Sequence, residues 1–150
     1  MRTIATIGYE DATVRSFLEA LRAAAVDLVV DVRALASSRR PGFAKTKLAA
    51  GLAAAGIEYL HLRRLGTPAE GRAAARAGRH EEMRRVFAEH LATPEAREEL
   101  EVLAGLVRSG RRVCLLCLEA NPEHCHRSLV AAALGAQLPL RVDHLRPPED

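Results

Sequence analysis

The sequence predicts a three-layer α/β domain, with about five mostly parallel strands and helices on both faces of the sheet. Short apolar runs rich in β-branched residues alternate with longer segments of helical periodicity, which is the pattern of a parallel sheet. The run DLVVDV at 27–32 is almost continuously apolar, as expected for a strand covered on both faces. The length of 150 residues favours one domain over residues 1–150.

Each predicted element has a local signal. Strands are predicted at five apolar runs, at 3–7, 27–32, 57–62, 112–118 and within 138–145. Helices are predicted after the first strand, within 47–56, at 81–91, from Thr93 to Gly110 and from Cys125 onward. Thr93 is a good N-cap, and Pro94 and Glu95 suit the first helical turn. The segment 63–80 is predicted to be a loop with a weak helix.

Composition and the lengths of the apolar runs favour a protein that neither crosses a membrane nor is secreted. No apolar run reaches the roughly 18 residues that span a bilayer, and the N-terminus meets a glycine and an acid too early for a secretion signal. We therefore expect a soluble, cytoplasmic protein without a membrane partner.

Three cysteines cannot form a complete disulfide framework. The net charge of +3 permits an anionic partner without requiring one. Only two side-chain amides occur, which suits heat adaptation or reflects biased coding.

All five predicted strands end in polar or reactive residues. Ligands of open α/β sheets bind outside the carboxyl ends of the strands. The strand ends carry Tyr9, Asp31 with Arg33, His61, Cys117 with Glu119, and Asp143 with His144. Loops are polar in any protein, but this choice of residue types favours a site at that edge of the sheet.

The stretch CLEANPEHCHRS at 117–128 gathers most of the reactive groups. Cys125 is predicted in the first turn of a helix, where free N–H groups and the helix dipole favour a thiolate or a bound anion. His126 and Arg127 add positive charge beside it. Cys125 is therefore a candidate nucleophile or redox thiol, and the alternative is an inert cysteine packed inward.

The cysteines of the fourth strand are predicted to have different environments. Cys114 and Cys117 are three residues apart and must point to opposite faces of a strand, so they cannot form a redox or metal pair. Cys114 is predicted to be a small buried hydrophobe. Cys117 and Glu119 share a face at the strand end, where Glu119 lines a pocket or is a solvated loop acid. A carboxylate at Glu119 would oppose thiolate formation at Cys125, so the roles of these two residues conflict unless an arginine intervenes.

The basic loop DVRALASSRRPGF at 31–43 is a second candidate anion site. Asp31 and Arg33 share a face at the end of the second strand. Ser38 and Arg39 follow as hydrogen-bond donors suited to an anion, unless the loop is simply a solvated charged segment. Asp31 ends an apolar strand, where an unpaired charge is costly, so we expect it to pair with Arg33 or Arg127.

Several of these motifs, in order along almost the whole chain, resemble the domain-of-unknown-function 488 family. They are TIGYE, DVRALASSRRPGF, GIEYLHLRRLG, CLLCLEANPEHCHR and VDHL. The first motif usually ends in His-Ser, where this chain has Tyr9 and Glu10. The resemblance implies a compact α/β domain and no particular reaction. Its motif positions are Asp31, Arg33, Ser38, Arg39, Cys117, Glu119, Cys125, His126 and Arg127.

Three hypotheses of function follow. The leading one is an enzyme acting on a small anionic substrate, phosphorylated or nucleotide-like, with Cys125 as the reactive thiol and His126 and Glu119 as acid–base groups. Asp31, Arg33, Ser38, Arg39, Cys117 and Arg127 would line the anion site. The second is a non-catalytic module that binds a nucleotide or nucleic acid. The third is a metal site at Cys117, Cys125 and a nearby histidine, His124 or His126.

Overall fold

The computed structural model describes residues 1–149 and confirms the predicted α/β fold. Its strands are β1 (Arg2–Gly8), β2 (Leu28–Asp31), β3 (Glu58–His61), β4 (Val113–Cys117) and β5 (Leu140–Leu145). They form one parallel sheet in the order β3-β2-β4-β1-β5. Its α-helices are α1 (Val14–Ala23), α2 (Lys45–Ala54), α3 (Ala69–Arg76), α4 (His80–Leu91), α5 (Pro94–Arg108) and α6 (His126–Gly135).

Two hydrophobic clusters, one on each face of the sheet, make up the core. One face is covered by α1 and α2, and the other by α3 to α6. Side chains of β4 alternate between the clusters, because successive residues of a strand point to opposite faces. Cys114 lies in the first cluster and Cys117 in the second, which confirms that these two thiols face apart.

Helix α5 begins where its capping residues predict. The Thr93 hydroxyl accepts a hydrogen bond from the backbone N–H of Ala96 at the start of α5, and Pro94 occupies the first turn. The segment predicted as a loop with a weak helix contains a 3-10 turn at Arg63–Leu65 and the short helix α3. Cys125 is the N-cap of α6 and so lies one residue before the predicted first turn.

Strand register brings the carboxyl ends of β1, β2 and β4 together. Gly8 is level with Cys117, and Asp31 is level with Leu116. A side chain at Gly8 would collide with the backbone carbonyl of Glu119, so the chain after β4 can cross β1 closely only because glycine lacks a Cβ. The backbone N–H of Glu10 donates to the carbonyl of Leu118 at 2.8 Å and fixes this crossing.

Within residues 1–149, every helix is too short or too polar to pass through a bilayer.

Candidate functional site

A cavity of about 190 Å³ opens at the carboxyl edge of the sheet. Its walls come from the segments after β1, β2 and β4, from one face of α3, and from the starts of α4 and α6. The polar residues of its lining are Tyr9, Arg33, Ser37, Thr67, Arg72, Arg76, Cys117, Glu119, His124 and His126. Of the strand-end residues predicted to gather at this edge, Tyr9, Arg33, Cys117 and Glu119 line the cavity. The ends of β3 and β5, with His61, Asp143 and His144, lie outside its lining.

Asp31 is fully buried and paired with Arg33. The Arg33 guanidinium donates from Nε to Oδ1 at 2.9 Å and from Nη2 to Oδ2 at 2.7 Å. The Tyr59 hydroxyl donates to Oδ2 at 2.6 Å. Burial would lower the pKa of Arg33, but the hydrogen bonds and charge of Asp31 outweigh it and raise that pKa above its ordinary value. Of the two partners predicted for Asp31, the structure selects Arg33.

The rest of the Arg33 guanidinium is also engaged. Nη1 donates to the Tyr9 hydroxyl at 3.1 Å and to the carbonyl of Phe43 at 2.8 Å. The Tyr9 ring stacks on Phe43 with centroids 4.5 Å apart, so Tyr9 is a packing and hydrogen-bonding residue. A guanidinium has five N–H donors, and four of these are used here. Arg33 borders the cavity mainly as a positioning residue.

Arg127 is fully buried and lies outside the cavity lining. Its Nε donates to the Thr6 hydroxyl at 3.1 Å, and its Nη2 donates to the carbonyl of Ala120 at 3.3 Å. Its Nη1 donates to the carbonyl of Glu119 and lies 3.4 Å from the sulfur of Cys117. Burial lowers the pKa of Arg127 to about 10. The side chain thus ties β1 to the end of β4, and the sulfur that its guanidinium contacts is that of Cys117, whereas the sequence predicted an arginine at the Cys125 thiolate.

Cys117 and Cys125 are joined by a disulfide. Cys117 ends β4 and borders the cavity, whereas Cys125 lies behind it and outside the lining. The Cys125 sulfur also accepts a hydrogen bond from the backbone N–H of Arg127 at 3.5 Å. A ligand in the cavity therefore meets the sulfur of Cys117 first, and Cys125 is its partner. Sequence analysis placed both cysteines in one loop but did not pair them.

Cys114 is the one free cysteine among the described residues, and it is buried. Burial raises the pKa of its thiol well above the ordinary value, so it remains protonated. This environment agrees with the prediction that Cys114 packs as a small hydrophobe.

His126 is buried, and one of its ring nitrogens forms a hydrogen bond with the backbone. Nε2 lies 2.6 Å from the carbonyl oxygen of Val32, which requires the proton on Nε2 and leaves the lone pair on Nδ1. Nδ1 lies 3.8 Å from the sulfur of Cys125. Burial lowers the pKa of His126 to about 4, so the ring is neutral near pH 7. His126 can act as a base or a metal ligand there, but not as a cation that holds an anion.

Glu119 is half-buried and lies in the cavity wall next to Cys117. Its Oε2 is 3.5 Å from the Cys117 sulfur. Burial raises the pKa of Glu119. A carboxyl with a raised pKa exchanges its proton nearer to neutral pH, which suits acid–base work on the adjacent sulfur.

Ser38 and Arg39, like Asp31 and Arg127, were predicted to line the anion site but lie outside the cavity lining. The hydroxyl of Ser38 accepts a hydrogen bond from the backbone N–H of Arg40 at 3.1 Å, and Arg39 is exposed. Ser37, one residue earlier, borders the cavity instead. A role for Ser38 and Arg39 in anion binding stays a prediction.

Sequence analysis missed two arginines of the cavity, Arg72 and Arg76 on α3. They are one helical turn apart and so lie on the same face of the helix. Arg72 donates from Nη1 to the carbonyl of Thr67 at 2.8 Å, and Arg76 is exposed. Their four-residue spacing was the available signal, but the segment was predicted to be mostly loop, where such spacing has no meaning.

One group of residues could hold a metal ion. The donor atoms of Cys117, Cys125 and His126 all lie within 4.8 Å of one another, and all three residues are buried. Of the two histidines considered from the sequence, the structure brings His126 to both sulfurs. His124 instead stacks on the ring of His80, with centroids 4.1 Å apart.

We expect the buried, neutral His126 to make the fold sensitive to acid. Its pKa is about 4 when folded and about 6.5 when unfolded, so between these values the unfolded chain binds a proton that the folded chain does not. The resulting stability is present above pH 6.5 and is lost as the pH falls towards 4, by about 3 kcal/mol at most. Urea unfolding at pH 7 and pH 4.5 measures this loss.

His126→Gln keeps a donor for the Val32 carbonyl but cannot titrate. The variant should lose clearly less stability than the wild type between the two pH values, whatever its stability at pH 7. If His126→Gln and the wild type lost equal stability, His126 would not be the acid-sensitive group.

Comparison with known proteins agrees with the motifs noted in the sequence. No curated protein and no solved structure matched the chain. A family model described as "Domain of unknown function DUF488" matches residues 13–134, which is more than half of the chain. This range includes the basic loop after β2, the helix α3 and the turn that joins Cys117 to Cys125. The chain therefore belongs to the DUF488 family.

Proposed function

We propose that this protein is an enzyme that acts on a small anionic substrate through the cysteine pair Cys117–Cys125. One observation carries the proposal: the sulfur of Cys117 borders a cavity lined by arginines and is bonded to a second cysteine at a helix N-terminus. The reaction that suits two such sulfurs is thiol–disulfide exchange. The substrate is a small thiol or disulfide that carries a carboxylate or phosphate group, as in a phosphorylated or nucleotide-like molecule.

The charges of the cavity favour an anion. Three arginines line it, and Glu119 is the one acidic residue of the lining. Arg33 is mostly occupied by Asp31, so Arg72 and Arg76 are the residues with free donors. Guanidinium groups bind carboxylates and phosphates through paired hydrogen bonds. The volume of about 190 Å³ fits a small molecule or one end of a larger one.

The exchange steps balance without any other cofactor. In the reduced protein, the Cys117 thiolate attacks one sulfur of the substrate disulfide, forms a mixed disulfide and releases the first substrate thiolate. The Cys125 thiolate then attacks the Cys117 sulfur, forms the Cys117–Cys125 disulfide and releases the second substrate thiolate. Two electrons pass from the protein to the substrate. Two molecules of a second small thiol, acting as the reductant, return the protein to its dithiol form through a mixed disulfide and leave as a disulfide.

Neighbouring groups stabilise the thiolate forms of Cys117 and Cys125 and can exchange protons with them. The guanidinium of Arg127 stabilises charge on Cys117, and the N-terminus of α6 stabilises charge on Cys125. The lone pair of His126 Nδ1 faces Cys125 and can accept its proton. Glu119, beside Cys117, can protonate a departing thiolate because its pKa is raised.

The test compares two aromatic disulfides, the dianion dithiobis(nitrobenzoate) and the neutral dithiodipyridine, with the reduced protein. The double variant Arg72→Gln/Arg76→Gln should slow the reaction with the dianion about tenfold or more, because a charge-assisted hydrogen bond contributes about 1.5–3 kcal/mol. Its rate with the neutral reagent should be nearly unchanged. Arg79→Gln is the control, since Arg79 pairs with Glu82 outside the cavity, and it should react like the wild type.

Cysteine variants, made with Cys114→Ala as background, separate the two sulfurs. Cys117→Ser should not react, and Cys125→Ser should release one thiolate and stop at the mixed disulfide, where the wild type releases two. A Cys117→Ser variant as reactive as the wild type would contradict the proposal. If phosphate bound at Arg72 and Arg76 while neither cysteine exchanged, the protein would be a binding module.

A further inference from the structure

We propose that the reduced protein has a site for one thiophilic divalent metal ion, with the sulfurs of Cys117 and Cys125 and Nδ1 of His126 as ligands. The proposal goes beyond the exchange reaction, because it assigns metal coordination to the same two sulfurs when they are reduced. Metal binding and the Cys117–Cys125 disulfide exclude each other, so the site exists only in the dithiol protein.

The spacing of the three donor atoms fits tetrahedral coordination. With Zn–S bonds of about 2.3 Å and Zn–N bonds of about 2.0 Å, ligand atoms around one zinc ion are about 3.5–3.8 Å apart. The three donor atoms lie within 4.8 Å of one another, and Nδ1 of His126 is 3.8 Å from the Cys125 sulfur. Once the disulfide is reduced, small side-chain rotations bring the sulfurs to ligand spacing. The Cα atoms of the two cysteines are 7.4 Å apart, beyond the roughly 4.4–6.8 Å that is usual for disulfides, so this backbone spacing leaves room for an ion between two separate thiolates.

The histidine is already in the form that a metal needs. Its Nε2–H donates to the carbonyl of Val32 at 2.6 Å, which leaves Nδ1 as the unprotonated nitrogen and fixes the ring plane. Histidine ligands of metals are usually held in this way, by a second hydrogen bond from the other ring nitrogen. Two thiolates and an imidazole form a donor set that favours zinc, and cobalt occupies such sites as well.

Groups around the sulfurs complete an outer shell. The backbone N–H of Arg127 is 3.5 Å from the Cys125 sulfur, and Nη1 of the same residue is 3.4 Å from the Cys117 sulfur. Both are N–H groups that point to sulfur, as around metal-bound thiolates. Glu119 is the nearest acid, 3.5 Å from the Cys117 sulfur on the cavity side. With two thiolates, the ion adds no net charge to this buried site.

A fourth coordination position would face the cavity, because Cys117 and His126 both border it. Three protein ligands with one open position are typical of catalytic zinc sites, whereas structural sites have four protein ligands. Water or an anionic ligand held by the cavity arginines would take the fourth position.

The change between the disulfide form and the metal-bound dithiol form conserves electrons and protons. Reduction of the disulfide by a phosphine or thiol gives two thiols, and binding of the ion releases two protons. Oxidation of the bound thiolates to the disulfide releases the ion and two electrons. With diamide as oxidant, these two electrons, together with two protons from the solvent, convert its azo group to a hydrazine.

The test is a cobalt titration of the full-length protein, reduced with a phosphine that is then removed without oxygen. We expect one Co²⁺ per chain, with thiolate-to-cobalt charge-transfer absorption and the visible bands of a tetrahedral site, displaced by one equivalent of Zn²⁺. Addition of diamide should abolish both bands and release the ion. Cys117→Ser and Cys125→Ser should remove the charge-transfer band or weaken binding at least tenfold, and His126→Gln should weaken binding at least tenfold.

Cys114→Ala is the matched control, since Cys114 is buried on the other face of the sheet, and it should bind like the wild type. Circular dichroism identifies variants that do not fold, and the diamide experiment on the wild type does not depend on them. The proposal would be overturned if the wild type, with all three of its thiols reduced, did not bind cobalt. It would also be overturned if binding persisted after oxidation. The exchange assay uses metal-free protein, so either result leaves the exchange reaction to its own test.

Discussion

Replacing Asp31 with asparagine is expected to lower the free energy of unfolding by about 3–5 kcal/mol. The Asp31 carboxylate is fully buried and accepts hydrogen bonds from the backbone and side chain of Arg33 and from the Tyr59 hydroxyl. Asparagine keeps the shape but not the charge, so the Arg33 guanidinium stays buried without an opposite charge. Urea unfolding at pH 7, followed by circular dichroism, measures the loss.

The control is Asp27→Asn, which removes the other aspartate that pairs with an arginine. Asp27 pairs with Arg111 on the surface, where solvent screens the interaction, so stability should change little. The double variant Asp31→Asn/Arg33→Met should lose less than the sum of the two single losses, because it leaves no unpaired charge. An Asp31→Asn loss as small as that of Asp27→Asn would show that Arg33 finds compensation elsewhere.

That Asp31 pairs with an arginine, either Arg33 or Arg127, could be predicted from the sequence because the cause is local, and the structure then selects Arg33. The carboxylate ends an apolar strand, and an isolated buried charge is too costly to leave unpaired. Arg33 is two residues away on the same side of the chain. The alternating burial that separates Cys114 from Cys117 is local in the same sense, since it depends only on the geometry of one strand.

The cysteine pair and the cavity arginines depend on distances that no local pattern fixes. Cys117 meets Cys125 because residues 118–124 fold back over Gly8 and are held there by Arg127. The order of the strands in the sheet determines which carboxyl ends are adjacent. That order cannot be predicted from a single sequence. Arg72 and Arg76 reach the cavity through the packing of α3, a helix of only eight residues that contains Gly71 and was predicted only as a weak helix. Local chemistry therefore identified the edge of the sheet, and tertiary packing decided which residues line it.

Replacing Arg127 with methionine is expected to lower the free energy of unfolding by about 2–4 kcal/mol and to slow thiol exchange at Cys117. The guanidinium donates to the Thr6 hydroxyl and to the carbonyls of Glu119 and Ala120, and methionine leaves these acceptors without that donor. It also removes the positive charge beside the Cys117 sulfur, so the thiolate becomes less favourable. Urea unfolding and the pH dependence of Cys117 alkylation measure the two effects.

Two further variants separate geometry from charge. Arg127→Lys keeps a positive charge but cannot reach three acceptors from one planar group, so it should recover more of the thiol reactivity than of the stability. Arg84→Met is the matched control, because Arg84 also donates to a carbonyl of this loop, that of Glu123, but from the surface, and its loss should be small. If Arg127→Met stayed as reactive as the wild type while losing stability, Arg127 would only hold the loop, and the N-terminus of α6 would be the main source of thiolate stabilisation. If reactivity fell in Arg127→Met and returned in Arg127→Lys, the buried charge itself would be the feature that makes this strand end reactive.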